Sequence, residues 1–199
     1  MTYTTYAIVK AELKLTNDTD QTLITGYATL AQRIIEAPLP MGTGRVFEAS
    51  SDTTKYFDAP TRSGGGSPAV LDLRGQDLCA ITSVTNGDGT ALPGTAYVTR
   101  PRDTPPYYAI QLRQTPGYVW VWDDDGPEGA IAITGKWAYS TTAPLDIQRC
   151  ATRLAVWMYK SRDNAGFDVD IKTDEGLILG ARMPADIRQM IKAYQRRLT

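Results

Sequence analysis

The sequence predicts an α+β fold, in which helices from both ends of the chain form a core and an antiparallel β domain is inserted between them. Apolar residues recur at helical spacing before Pro38 and after Pro144. Between Gly42 and Tyr139 the pattern changes to short β-branched and aromatic runs separated by Gly, Pro, Asn and Asp. None of the helical segments is long enough to be stable alone, so we expect them to pack together. The predicted parts are residues 1–44, 45–139 and 140–199.

Two helices are predicted in the first part. Thr4 or Thr5 caps the first helix, and the polar break Thr16-Asn17-Asp18 ends it. Asp18 or Asp20 caps the start of a longer helix, which ends at Pro38. The predicted core-facing stripe of this second helix is Leu23, Tyr27, Leu30/Ala31 and Ile34.

Short strands fill the middle part. Arg45–Glu48 and Lys55–Asp58 are predicted to form a hairpin around Ser51-Asp52. Asn86-Gly87-Asp88-Gly89 and Asp123–Pro127 are turn signals. The other predicted strands are Ala69–Leu73, Cys79–Thr85, Ala96–Arg100, Tyr107–Leu112, Tyr118–Trp122 and Ala130–Tyr139.

Two further helices are predicted in the last part, each with Pro at its first position and Asp in its first turn. Pro144 begins the third helix, which ends at Asn164-Ala165-Gly166, and a short strand is predicted at Leu177–Leu179. Pro184 begins the last helix. Its predicted apolar stripe is Ile187, Met190/Ile191, Tyr194 and Leu198.

Charge is concentrated at the end of the chain. The net charge is −1, yet residues 181–199 carry five basic residues and one acid. Arg188, Lys192 and Arg196 are spaced to form one basic row on the last helix. Two interpretations stand equally: a solvated face whose cations stabilise the helix C-terminus, or a docking helix for an acidic groove or for DNA phosphates.

Composition excludes several function classes. The chain has no histidine, which rules out Ser-His-Asp and Cys-His catalysis and HExxH zinc sites. Cys79 and Cys150 are predicted to be buried, reduced thiols. The first residues lack the charged and apolar regions typical of a signal peptide, and no apolar run approaches the length of a membrane span. We therefore expect a soluble protein made in a cytoplasm, without cofactor.

The other candidate functional sites can each be explained by an ordinary structural role. Asp123-Asp124-Asp125-Gly126 resembles the start of a calcium loop, but we expect a polar turn. Gly64–Gly66 lacks a phosphate-binding frame and is expected to be a linker. Four aromatic residues could stack sugars or bases, although core packing or subunit contact is favoured: Tyr107, Tyr108, Trp120 and Trp122. Four acids could serve a glycosidase, although no spacing selects a pair: Asp103, Asp123, Asp125 and Glu128.

Several segments of the chain follow one another in a distinctive order. The helix TYAIVKAELKL is followed by the helix DQTLITGYATLAQRIIEA and the step Arg45-Val46-Phe47. Later, Ile133–Ser140 leads through Pro144 into DIQRCATRLAVWMYKSRD, and Met183-Pro184 precedes ADIRQMIKAYQRR. This arrangement resembles the head–tail connector (adaptor) proteins of long-tailed bacteriophages and gene transfer agents. The resemblance covers about the first 47 and the last 67 residues.

The resemblance implies a structural role without catalytic residues. Such adaptors form a ring, generally twelve-fold, beneath the portal protein, extend the DNA channel, and present a surface to a stopper or tail completion protein. DNA would pass through without sequence-specific binding, and the protein would reside in the virion neck after assembly in the host cytoplasm. The segment after Gly180 would engage the portal. The contacts implied there are Arg188, Lys192, Tyr194, Arg196 and Arg197.

Two segments are expected to become ordered on docking, Thr61–Pro68 and Asn164–Asp174. The alternative from another class is a carbohydrate-binding or carbohydrate-cleaving virion protein that uses the tryptophans and acids of the β domain. A weaker alternative is a calcium-dependent β module.

Overall fold

The computed structural model describes residues 2–60, 70–73, 75–114, 117–162, 171–172, 178–179 and 183–196. Within these ranges the fold is α+β, with four helices and antiparallel sheets, as the sequence predicts. The chain divides into two compact units. Met1–Arg45 with Ala143–Thr199 form what we call the helical unit, and Val46–Thr142 form the β unit. No helix in the described part of the chain has the length and apolar content needed to cross a bilayer.

The helical unit is built from α1 (Tyr6–Leu13), α2 (Gln21–Glu36), α3 (Leu145–Ser161) and α4 (Ala185–Ala193). Thr5 caps α1, since its side chain accepts a hydrogen bond from the Ile8 amide at 3.4 Å. α2 packs against α1 and α3, and α3 also packs against α4. The buried apolar side chains of these helices are Val9, Ile24, Ala28, Ala31, Ile35, Ile147, Cys150, Ala151, Leu154, Ala155, Ile187 and Ile191.

The predicted core stripe of α2 is largely wrong. The buried residues are Ile24, Ala28, Ala31 and Ile35. Of the predicted residues only Ala31 is among them, while Leu23 and Leu30 are 39% and 44% exposed and Tyr27 and Ile34 are half-buried. Helical spacing finds the apolar side of a helix. Viewed down the axis of α2, its apolar side chains cover an arc of about 160°, with Leu30 at one edge and Ala28 at the other. The spacing therefore does not decide which part of this arc faces the neighbouring helices.

Helix ends differ from the prediction by short distances. Pro144 and Pro184 lie at the N-cap, one residue before the first helical position. α3 is followed by Arg162 as its C-cap, and the predicted end at 164–166 lies outside the described residues. The predicted strand near residue 178 is present as β9 (Ile178–Leu179), which pairs with β8 (Ile171–Lys172).

The β unit contains seven strands among its described residues. They are β1 (Thr53–Phe57), β2 (Val70–Asp72), β3 (Ala80–Thr85), β4 (Ala91–Leu92), β5 (Tyr97–Arg100), β6 (Ala109–Leu112) and β7 (Ile131–Lys136). One sheet has the order β1-β7-β3-β4 and the other β2-β6-β5. A single hydrophobic cluster joins Ile131 and Ile133 of the first sheet to Ile110 and Leu112 of the second.

The predicted hairpin between Arg45–Glu48 and Lys55–Asp58 is wrong. β1 pairs instead with β7, placing Lys55 opposite Ile133. Glu48 makes one isolated bridge, to Ser140. The distant pairing wins because it buries Phe57 in the core, where its ring stacks on Trp137 at a centroid distance of 5.4 Å.

The turn at Asn86–Gly89 is confirmed, but Tyr118–Trp122 is not a strand. The Asn86 carboxamide donates to the Val119 carbonyl and accepts from the Val121 amide, both at 2.9 Å. A side chain thus supplies the partners that a neighbouring strand would supply. A Cβ at Gly87 would lie 2.4 Å from the Val121 oxygen, so this close approach requires glycine.

Candidate interaction surface of the helical unit

α4 carries two of the five predicted contact residues, Arg188 and Lys192, and is packed into the helical unit. Ile187 and Ile191 are buried, with exposed fractions of 0% and 3%. The Arg153 guanidinium lies 2.8 Å from the Asp186 carboxylate, which ties α3 to the first turn of α4. The predicted apolar stripe therefore holds for these two isoleucines.

The chain after α4 returns to the segment that follows α2. The Gln195 side-chain amide donates to the Pro40 and Gly42 carbonyls at 3.2 and 3.1 Å. The Arg196 amide donates to the Thr43 carbonyl at 3.2 Å. The end of α4 is thus fixed by backbone acceptors as well as by apolar burial.

The predicted basic row is only partly formed. Arg188 and Lys192 are exposed on α4 one turn apart, whereas Arg196 lies beyond the helix end. Tyr194 is the C-cap, half-buried, with its hydroxyl 3.4 Å from the Asp146 carboxylate. The row is shorter than predicted because α4 ends at Ala193, where the chain turns to the acceptors described above. Arg197 and Leu198 lie outside the described residues.

Neither cysteine is an activated nucleophile. Burial, with a smaller effect from the Asp186 charge, raises the pKa of Cys150 to about 11. Burial also raises the pKa of Cys79, whose thiol lies 3.3 Å from the Lys136 carbonyl. Both thiols are therefore protonated at neutral pH.

The Asp123-Asp124-Asp125-Gly126 segment is the polar turn that the sequence predicts. The Asp123 carboxylate accepts from the amides of Asp125 and Gly126, both at 2.9 Å. Among the described residues, no three His, Cys, Asp or Glu side chains are grouped as metal ligands. Asp103 is exposed and lies 3.6 Å from Arg102, and Asp125 and Glu128 are exposed as well.

The four aromatic side chains do not form one exposed platform. Tyr107 and Trp120 are partly buried and pack against the β-unit core. Tyr108 and Trp122 are 56% and 50% exposed. The structure thus divides the set between core and surface, which does not favour a sugar-stacking site.

An apolar groove between α1 and α3 is a surface that the sequence analysis missed. Its volume is about 390 Å³, and exposed Ile8 and Leu145 contribute its apolar side chains. The full lining is Tyr3, Ile8, Glu12, Leu145, Gln148, Arg149, Thr152 and Arg153. In the sequence, the signal for this groove is that Ile8 and Leu145 are apolar but lie outside the core-facing stripes of their helices. Such a signal is weak, because isolated exposed apolar residues are common on protein surfaces.

Comparison with solved structures shows a shared fold along nearly the whole chain. One neighbour comes from the neck of an empty gene transfer agent (GTA) particle computed with C6 symmetry; it is 13% identical, with a TM-score of 0.58. Another belongs to the virion of a native GTA particle, with 14% identity and the same TM-score. Both alignments cover 98% of this chain and 90% of the other.

A third neighbour comes from the neck of a native GTA particle computed with C12 symmetry. It is 16% identical, with a TM-score of 0.51, and covers 97% of this chain and 91% of that one. This chain shares the fold of GTA particle components. No protein-family model matches the sequence, and no curated protein matches it.

Proposed function

We propose that this chain is a structural protein of the neck of a tailed phage or phage-like particle, and that it forms the adaptor ring between portal and stopper or tail. The observation that carries the proposal is the shared fold over 98% of this chain and 90% of a GTA neck component. Such agreement includes both compact units rather than one common motif.

The ring is part of the proposal. Two of the neighbouring structures come from necks, computed with C6 and C12 symmetry. We propose a homo-oligomeric, twelve-fold ring through which DNA passes without sequence-specific contact. Residues 1–180 carry a net charge of −5, which suits a channel that does not hold DNA.

The end of the chain is the proposed contact with the portal. Arg188 and Lys192 project from a helix that the burial of Ile187 and Ile191 fixes in the core, so their positions are preorganised for an acidic partner. We include Tyr194, Arg196 and Arg197 in the same contact, with the stopper or tail completion protein on another face of the ring. Assembly would occur in the host cytoplasm, with the mature protein in the virion neck.

A charge reversal tests the portal contact without disturbing the fold. The double variant Arg188→Glu/Lys192→Glu changes two exposed side chains, and we expect it to weaken binding to purified portal protein by roughly tenfold or more. Deletion after Gly180 would also abolish binding, but it removes Ile187 and Ile191 from the core and is a less specific test.

The matched control is Lys160→Glu, which reverses one exposed charge at the end of α3. Portal affinity of the double variant equal to that of the parent would refute the portal contact. Absence of the chain from purified particles would refute the neck role itself.

A further inference from the structure

One edge of the apolar arc of α2 is left partly exposed by the fold. Leu23 and Leu30 are 39% and 44% exposed, and Tyr27 and Ile34 beside them are half-buried. We call these four side chains the α2 ridge. The buried face of the same helix already supplies the contacts with α1 and α3. The ridge is therefore the less buried part of the apolar surface of α2.

The surroundings of the ridge lack charge. From Gln21 to Gln32 the chain has no charged residue, although Gln21, Thr22, Thr25, Gly26 and Thr29 are exposed. A solvated helix face normally carries charged side chains. The Thr25 and Thr29 hydroxyls donate to carbonyls four residues earlier, at 2.8 and 3.1 Å, so their donors are satisfied within the helix. This surface resembles the centre of an interface, where charges are depleted.

Gly26 has no structural reason to be glycine within its own subunit. A Cβ there would meet no atom within 4 Å. Glycine within a helix costs about 0.5–1 kcal/mol relative to alanine. A missing side chain on the outer face of α2 allows close approach of another molecule.

The groove between α1 and α3 is the matching concave surface. Ile8 and Leu145 are 49% and 69% exposed there, and its volume of about 390 Å³ has room for leucine side chains. Ridge and groove belong to the same compact unit and are both exposed, so they do not cover each other within one subunit.

The edges of the two surfaces offer one complementary charge pair. Arg33 is exposed on the last turn of α2, beside the ridge, and Glu12 is exposed at the rim of the groove. Neither forms an ion pair with any residue in the described ranges. The groove lining also holds Arg149 and Arg153, the second of which is paired with Asp186, so the charges favour the orientation that places Arg33 at the Glu12 side of the groove.

We propose that the α2 ridge of one copy packs into the α1–α3 groove of the next copy, and that this contact closes the ring. The inference rests on the proposed function, because a cyclic ring of identical subunits requires two different, complementary surfaces on each chain. Gly26 then lies where the two subunits approach, and Arg33 of one copy faces Glu12 of its neighbour.

Cysteine cross-linking in purified particles tests the contact directly. In the double variant Ile8→Cys/Leu30→Cys, a short bismaleimide is expected to join successive subunits and give a ladder of oligomers on a denaturing gel. Each single variant is expected to remain monomeric, because the contact is head-to-tail. The native Cys79 and Cys150 are buried with raised pKa values and stay unlabelled in the folded protein.

The matched control is Ile8→Cys/Met41→Cys, since Met41 is 77% exposed in the same unit but belongs to neither surface. It is expected to give no ladder. Dimers from Leu30→Cys alone would show a two-fold contact and overturn the inference. Particles that contain the chain without any Ile8–Leu30 product would overturn it too, while leaving the neck role intact. Particles that lack the chain would refute the neck role.

Exchanging the charges of Arg33 and Glu12 gives a second test, in which rescue by the second substitution distinguishes a lost contact from a folding defect. Arg33→Glu alone is expected to reduce incorporation of the chain into particles, because it places two acids opposite each other. Adding Glu12→Arg is expected to restore incorporation to near the parental level. Failure of the second change to rescue the first would contradict the proposed pairing.

Discussion

At the residue scale, Asn86 decides the path of a segment that the sequence predicts as a strand. Its side chain is 5% exposed and makes two hydrogen bonds with the backbone of residues 119–121. An asparagine in a turn signal is ordinary. Its role in holding a distant segment depends on how the chain returns, which spacing does not reveal.

Replacement of Asn86 by alanine should therefore be costly. Asn86→Ala leaves the Val119 carbonyl and the Val121 amide without their partner, and a loss of about 1–3 kcal/mol in the free energy of unfolding is expected. Urea denaturation followed by tryptophan fluorescence measures it. Thr95→Ala, at an exposed position of the β unit, is the control and should change the free energy little. Equal stabilities of the two variants would contradict the bridging role.

The two cysteines show how burial lowers the reactivity of a single side chain. With its pKa raised to about 11 by burial, Cys150 is almost entirely protonated at pH 8. Labelling of the native protein with iodoacetamide at pH 8, read by mass spectrometry, should leave both cysteines unmodified. Labelling in urea should modify both. Rapid modification of Cys150 in the folded protein would contradict this burial.

At the element scale, a polar contact fixes the start of α2 against the end of α3. The Asp20 carboxylate accepts from the Tyr159 hydroxyl at 2.5 Å and lies 3.3 Å from the Arg162 guanidinium. The Tyr159 hydrogen bond, and then Arg162, lower the pKa of Asp20 below its usual value. The sequence identifies Asp20 only as a possible helix cap, and its side chain makes no capping hydrogen bond.

The stability supplied by this contact should depend on pH in a defined direction. Because the pKa of Asp20 is lowered in the folded state, its contribution is present above the unfolded pKa of about 4 and is lost as the pH falls through the folded value. Asp20→Asn should lower Tm at pH 7, by less than Asn86→Ala does. The difference from the parent protein should shrink at acidic pH.

Tm measured across pH 2–8 checks this prediction. Asparagine keeps a side-chain oxygen that can accept from the Tyr159 hydroxyl, so the substitution removes the charge without removing this acceptor. Asp124→Asn, at an exposed turn residue, is the control and should leave the profile unchanged. A Tm difference that stays constant down to pH 2 would refute the assigned cause.

At the scale of the whole molecule, each compact unit has its own core. The β-unit cluster is formed by side chains of Val46–Thr142 alone. The two ends of this segment meet, since the Tyr139 amide donates to the Val46 carbonyl at 2.8 Å. A segment with its own core and adjacent ends has the features of an independently folding insertion.

The fragment 46–142 should therefore fold alone. We expect a cooperative thermal transition and a near-ultraviolet circular dichroism signal from Trp137, which is packed on Phe57. The same fragment with Ile133→Ala should lose about 2–5 kcal/mol, because Ile133 is fully buried. A fragment without a cooperative transition would show that its core depends on the rest of the chain.

For the candidate surfaces, the sequence identifies the cations but not their geometry. Arg188 and Lys192 are found from spacing, whereas the departure of Arg196 from the helix depends on a backbone bond to Thr43. The α1–α3 groove requires two helices to be positioned side by side. No local sequence pattern encodes the distance between α1 and α3, because this distance follows from long-range packing.

The sequence by itself determined the α+β class, the four helices, the turn at Asn86–Gly89 and the lack of histidine chemistry, since these follow from local propensity and composition. Only the tertiary structure decided that β1 pairs with β7, that α4 ends at Ala193, and which side of α2 is buried. Those outcomes depend on contacts between distant residues. An apolar pattern is compatible with several such contacts, and the burial available in the folded chain selects among them.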